Sequence, residues 1–228
     1  MAPSLSTSAL SKTYGTGPAA VHALKPTDLT VRRGECLAIV GPSGSGKSTL
    51  LHLLAGLDRP SSGQVHVDGT DLYRLADDDL AIFRRRHIGF VFQFFNLIPV
   101  LSAEENITLP LLLDGRQADA ALVDELLDTL GLAARRHHLP DALSGGQQQR
   151  VAIGRALVTH PAVVFADEPT GNLDTEAAGE VLELLTSAAH RYGQTVVIVT
   201  HDPHVAAHAG RVITLRDGQI VSDMGGQK

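Results

Sequence analysis

The nonapeptide Gly41-Pro42-Ser43-Gly44-Ser45-Gly46-Lys47-Ser48-Thr49 constrains this chain more than any other stretch. It fits G-x-x-x-x-G-K-[ST], and it sits between an apolar run, Cys36-Leu37-Ala38-Ile39-Val40, and a helical pattern from Thr49 to Gly56. Strand, glycine loop and helix together are the context in which such a loop binds phosphate. Its glycines let backbone N–H groups turn inward around phosphate oxygens, and the helix start adds the positive end of its dipole. Lys47 is placed to reach the β- and γ-phosphates and the Ser48 hydroxyl to bind Mg²⁺. An accidental glycine turn would not need those flanks.

Further apolar runs alternate with helical patterns, which predicts an α/β fold with a mainly parallel sheet. Val65-His66-Val67 and Ile88 to Phe92 read as strands. Val163-Val164-Phe165-Ala166 and Thr195 to Val199 are short continuous runs of the kind buried on both sheet faces. Arg211 to Val221 reads as a hairpin turning at Asp217-Gly218. After the loop, Leu50, Leu51, Leu53, Leu54 and Leu57 are expected on one buried side. Between Asn96 and Gln149 the pattern turns helical, with Leu122, Leu126, Leu127 and Leu130 at helical spacing. The chain is read as one domain: residues 1–93 and 150–228 form a core, and residues 94–149 form an inserted helical lobe.

Charge and cysteine usage exclude several classes. Net charge is −6, so no general basic field draws the chain to nucleic acid. The single cysteine, Cys36, excludes an internal disulfide and any cysteine-built metal cluster, and its apolar setting predicts a buried small side chain. No stretch approaches the roughly 18 apolar residues of a membrane-spanning helix. The start, Met1 to Ser8, lacks both a basic leader and an apolar block. A cytosolic protein is expected, one that borrows any membrane part from another chain.

Two other sites carry chemistry. Val163 to Ala166 ends in adjacent carboxylates, Asp167 and Glu168, where a parallel strand's carboxyl end faces a ligand crevice. Asp167 is placed to hold Mg²⁺ and Glu168 to polarise a water; solvated acids would not terminate a wholly apolar run. Leu143-Ser144-Gly145-Gly146-Gln147 opens a helix, with Ser144 as N-cap and glycines that admit an anion to the backbone. A plain helix cap would explain SGG alone.

LSGGQ beside a complete phosphate loop is the signature of ATP-binding-cassette ATPases, and the chain resembles that family from about Lys12 to its end. The resemblance implies a P-loop NTPase (RecA-like) core with a mainly parallel sheet, an antiparallel β subdomain and an inserted helical subdomain. It implies that Gln93 is a hinge glutamine sensing Mg²⁺ and the γ-phosphate, and that His201 is a switch histidine on the γ-phosphate. A rival for the histidines is a metal pair, His204 and His208, one turn apart after Pro203. By the same resemblance, Tyr14 stacks on adenine and Asp174, in Gly171-Asn172-Leu173-Asp174, couples two sites. Two copies would pack head to tail, each ATP lying between one phosphate loop and the other copy's signature.

The run Arg84 to Pro99, Glu105-Asn106 and Pro169 to Asp174 look like the macrolide-export and lipoprotein-release branch. There Phe94, Phe95, Asn96 and Leu97 would meet a short helix of a membrane permease. Arg84-Arg85-Arg86-His87 is expected to be a solvated face. Ser4 to Ser11 is Ser/Thr-rich where that family has an apolar alternation, and Gly154 replaces a commoner Ala inside the signature helix, at a cost of up to ~1 kcal/mol. The expected reaction is hydrolysis of the β–γ bond of ATP with Mg²⁺. Its motion would drive export or substrate release; a signalling stroke on a membrane protein, or a soluble role on ribosomes or DNA, are the alternatives.

Overall fold

A computed structural model describes residues 3–225, so Met1 and Ala2 of the amino-terminal stretch lie outside it. In chain order the main elements are β1 (Leu5–Tyr14), β2 (Val21–Val31), β3 (Cys36–Val40), α1 (Lys47–Leu54), β4 (Ser62–Val67), β5 (Thr70–Asp71), α2 (Asp77–His87) and β6 (Ile88–Val91). They continue with α3 (Ala103–Leu113), α4 (Ala120–Thr129), α5 (Gly145–Leu157), β7 (Val163–Asp167), α6 (Thr175–Arg191), β8 (Thr195–Val199), α7 (Pro203–Ala207), β9 (Arg211–Arg216) and β10 (Gln219–Gly225).

The strands form two sheets. A six-stranded sheet has the order β10-β9-β3-β8-β7-β6, parallel except for β10, which pairs antiparallel with β9 at the edge. The other, β2-β1-β4-β5, is antiparallel throughout. Period-two alternation divides the central strands between two cores. Val163, Phe165, Val197 and Val199 pack with α1 and the antiparallel sheet. Val164, Ala166, Val196 and Ile198 pack with α3, α4, α5 and α6. Both faces are covered, which is why these runs read as continuously apolar.

The Ser/Thr-rich first strand is full length, and its alternation is masked by a bulge. Ala9 has φ of 46° and the pairing register shifts between Thr7 and Leu10. The inserted residue resets the phase, so Leu5 and Leu10 both reach the core despite their odd spacing.

Four side-chain expectations change. Leu57 is 44% exposed, because α1 ends at Leu54 and Gly56 turns the chain with φ of 66°. On α4 the buried face uses Val123 with Leu126 and Leu127, and Leu122 is only half-buried. The arginines are only partly a solvated face: Arg86 is exposed, while Arg84 and Arg85 are half-buried. Arg84 donates to the Gly56 carbonyl at 2.7 Å, and Arg85 and Arg86 both hold Asp114 at the end of α3, at 2.7 and 2.9 Å. Cys36 is half-buried, and burial pushes its thiol up to about 11, so it stays protonated.

Gly154 also has a structural reason. A methyl group there would sit 2.7 Å from Leu130 Cδ1 and 3.0 Å from Ile107 Cδ1. Both neighbours are fully buried, so a methyl at this position would crowd α5 against α3 and the end of α4.

Candidate functional site

The phosphate loop is shaped by what its glycines touch. A Cβ on Gly41 would collide with the Leu215 carbonyl of β9, and one on Gly46 with the Ala23 carbonyl of β2. Gly41, Gly44 and Gly46 have φ of 153°, 75° and 100°, a run in which L side chains are disfavoured. The β9–β10 turn is fastened to the loop from outside. Gly218 N donates to Ser45 O at 3.0 Å, and Lys25 N donates to Gly218 O at 2.8 Å. A cavity of about 660 Å³ results, lined by Ser43, Gly44, Gly46, Lys47, Ser48, Thr49, Glu168 and His201, and by Val21, His22, Ala23, Lys25, Asp217 and Gly218.

Lys47 starts α1, and its ammonium donates to the Gly41 and Pro42 carbonyls at 2.9 and 3.0 Å, folded over the loop whose phosphate it is suited to meet. Ser48 follows on α1 and its hydroxyl lies 3.4 Å from Asp167 Oδ1 at the end of β7. Burial pushes the Asp167 carboxyl up; His52, one turn along α1 with Nε2 3.8 Å from Asp167 Oδ2, opposes the shift, and Glu168 adds to it. A divalent cation would reverse that balance. Ser48 and Asp167 supply hard oxygen donors, the set that Mg²⁺ takes, so the residues present fit the ion.

Glu168 occupies a left-handed backbone conformation, with φ of 46°. A non-glycine residue there costs of order 1–3 kcal/mol and needs support from its surroundings. The support is visible: Glu168 N donates to Val199 O at 2.9 Å, and Glu168 O accepts from Gly171 N at 3.0 Å. The turn aims the carboxylate at His201, whose Nδ1 lies 2.8 Å from Glu168 Oε1. His208 Nδ1 lies 2.8 Å from the His204 carbonyl, which leaves Nε2 free, and among the described residues no group of three or more His, Cys, Asp or Glu side chains is gathered to hold a metal ion.

Tyr14 stands at the end of β1, half-exposed. Its hydroxyl donates to Asp58 Oδ2 at 2.7 Å, while Lys12 bonds Asp58 Oδ1 at 2.7 Å and lies 4.8 Å from the ring centroid. Gln93 is positioned differently. Its side chain lies against Gly171 and its carbonyl accepts from Asn172 Nδ2 at 2.8 Å, away from the residues lining the phosphate cavity.

The signature forms a second, separate cavity of about 330 Å³, bounded by Ser144, Gly145, Gly146 and Gln147 with Asn172, Asp174 and Ala177. Ser144 caps α5 in a reciprocal box, accepting from Gln147 N at 3.3 Å while Ser144 N donates to Gln147 Oε1 at 3.0 Å. Leu143, just before it, is buried in the helical core. Asp174 Oδ1 accepts from Ala177 N at 2.9 Å, capping α6 on the same cavity wall. The two cavities share no lining residue.

Sequence reading missed the far wall of the phosphate cavity, contributed by β2 and the β9–β10 turn. Asp217-Gly218 was legible as a turn, but nothing local says what the turn leans on. His52 and the buried Gln149 were also missed, because a polar residue on a helix gives no sign of the loop it will meet.

A parallel sheet ending in a phosphate loop, paired carboxylates and a histidine, with an anion-ready helix start on a second face, defines a P-loop ATPase built as a cassette. The family model described as "ABC transporter" matches residues 24–171. The chain is 52% identical to the lipoprotein-releasing system ATP-binding protein LolD of Geobacter metallireducens over 216 residues, 94% of this chain and 96% of that one. It is 50% identical over 223 residues to the macrolide export ATP-binding/permease protein MacB 1 of Aeromonas hydrophila, covering 97% of this chain but 34% of that longer one. Among solved structures, the dimeric post-hydrolysis state of the ATP-binding cassette MJ0796 bound to ADP and Pi superposes with a TM-score of 0.87 at 42% identity, covering 98% of this chain and 99% of that one. The chain belongs to the ABC transporter family and is an ATP-hydrolysing cassette of it.

Proposed function

We propose that this chain works as a pair, closing on ATP and driving a separately encoded membrane permease in export or in release of lipoproteins or peptides. The observation that carries the pairing is the separation of the two cavities: the phosphate loop and the signature share no wall within one chain. That separation favours a second copy as the source of the signature that meets the γ-phosphate. The relatives of matching length are named as lipoprotein-releasing ATP-binding proteins, and the macrolide exporter carries its permease in the same, longer chain. Among the described residues here no helix is long and apolar enough to cross a membrane. That favours a partner chain and a place on the cytoplasmic face of the membrane. The exposed Phe94, 68% accessible beside Phe95, suits the docking contact.

In this reading Gly41 to Thr49 hold the phosphates and Lys47 balances charge on the γ-phosphate, together with the opposing Ser144. Tyr14 stacks on adenine. Ser48 and Asp167 would hold Mg²⁺, and Gln93 would join them on closure from its place against Gly171; the ion would neutralise charge on the phosphate oxygens. Glu168 accepts a proton from water held against the γ-phosphate, with His201 fixing its carboxylate. Asp174, beside the signature, relays occupancy between the sites, and residues 94–149 act as the helical unit that moves.

Glu168→Gln keeps the shape of the side chain and removes the base. It should bind Mg-ATP, lose turnover and accumulate as a dimer in sedimentation runs. A variant that hydrolyses at the parental rate and stays monomeric in Mg-ATP would remove both Glu168 and the pairing from the mechanism.

A further inference from the structure

Gln149 lies within α5, two residues beyond the signature, and is fully buried. Its Nε2 donates to two carbonyls from distant parts of the chain: Pro169 O at 2.7 Å and Phe92 O at 3.3 Å. Phe92 immediately precedes Gln93, and Pro169 immediately follows Glu168. Its Oε1 is buried without a partner, so the amide is held by its donor side alone. A buried polar atom left unpaired carries a desolvation cost that nothing offsets. A leucine or alanine would avoid that cost, so a packing role alone does not account for a glutamine here.

Neighbouring bonds belong to the same arrangement. Arg155, further along α5, donates to Asn96 O at 2.6 Å and Phe95 O at 2.9 Å. Asn172 holds the Gln93 carbonyl itself. The carbonyls of Phe92, Gln93, Phe95 and Asn96 are thus all held by side chains, three of the four by Gln149 and Arg155 of α5.

We propose that Gln149 is a positioning residue for hydrolysis: its buried amide fixes the signature helix to the two peptides that carry Gln93 and Glu168. The inference rests on the roles given above to those two residues. Glu168 occupies a left-handed turn that its surroundings must enforce, and Gln149 grips the peptide directly after it. A shift of α5 is therefore passed to both peptides together. Helix and hydrolytic groups keep one register, so the signature, which meets the partner's nucleotide, and Glu168, which serves this chain's own, move together.

The test is Gln149→Met, which keeps length and helix propensity but cannot donate. ATP turnover should fall at least tenfold, with KM for ATP and the equilibrium affinity for ATP both within about twofold of the parent. The Glu168→Gln/Gln149→Met double variant should need more Mg-ATP to dimerise than Glu168→Gln alone. If Gln149→Met is too unstable to purify, Gln149→Asn carries the test: it keeps an amide in the pocket but withdraws it by one methylene. The same split between turnover and KM is then expected. Parental turnover would overturn the inference, as would a turnover loss matched by an equal loss of ATP affinity. Neither result touches the assignment of Glu168, which the Glu168→Gln variant tests alone.

Discussion

Gly154→Ala separates helix propensity from packing, because the two predict opposite signs. Alanine is favoured over glycine inside a helix by about 0.8–1.0 kcal/mol, so propensity alone predicts stabilisation. Against it, the new methyl would lie 2.7 Å from Leu130 Cδ1 and 3.0 Å from Ile107 Cδ1 and Cγ1. Both side chains are fully buried, and forcing a methyl into such a core typically costs about 1–3 kcal/mol. The balance is a net loss of roughly 1 kcal/mol, which in a chain of this size lowers the melting temperature by about 2–4 °C. The structure supplies its own control. Gly179, on α6, has nothing within 4 Å of a Cβ built there. Gly179→Ala should therefore show the propensity gain alone and raise stability by up to about 1 kcal/mol. Urea unfolding of both variants at one pH reads the two shifts. If Gly154→Ala moves the midpoint upward alongside Gly179→Ala, the close packing of α5 against α3 is refuted.

Two further perturbations probe an ion pair of the helical lobe and the adenine contact. Arg86 and Arg85 beside Asp114 hold its carboxyl below the usual carboxylate range, so the native state favours the ionised form. That contribution is fully present above about pH 4, where the unfolded carboxylate is ionised too, and it fades as pH falls through the lower native value. Asp114→Asn should therefore lower the urea midpoint at pH 7, with the gap to the parent closing in acid; a gap constant with pH would contradict the ion-pair account. Tyr14→Ala should weaken ADP binding by roughly 5- to 150-fold, the equivalent of about 1–3 kcal/mol of base stacking, read by calorimetric titration. Unchanged affinity would place the adenine elsewhere.

What was legible in the sequence follows from how local each signal is. The phosphate loop, the β7 carboxylates, the capped signature helix and the Asp217-Gly218 turn are each specified within about ten consecutive residues, and each is found where the chain predicts it. The features that escaped depend on a partner far away in sequence. The Ala9 bulge hides the alternation of β1 and shows only in pairing with β2 and β4. The three arginines of α2 read as a solvated run because Asp114, which neutralises two of them, lies 28 residues beyond Arg86. Gly154 read as a small loss of helix stability because its reason is the side chains of Leu130 and Ile107. Gln149 bonds carbonyls 57 and 20 residues away, and nothing in Gln147-Gln148-Gln149 marks the third glutamine as the buried one.

The pairing is tested most directly by ATP turnover per chain across a wide dilution series, run for the parent and for Gly146→Asp. A Cβ at Gly146 meets only Ala177 Cβ, at an ordinary 3.5 Å, so the variant should keep its fold while setting a carboxylate where a second copy's phosphate would arrive. Turnover per chain should fall steeply on dilution for the parent and be nearly abolished in Gly146→Asp at every concentration. Turnover that is independent of dilution and indifferent to Gly146→Asp would mean that one chain hydrolyses ATP unaided.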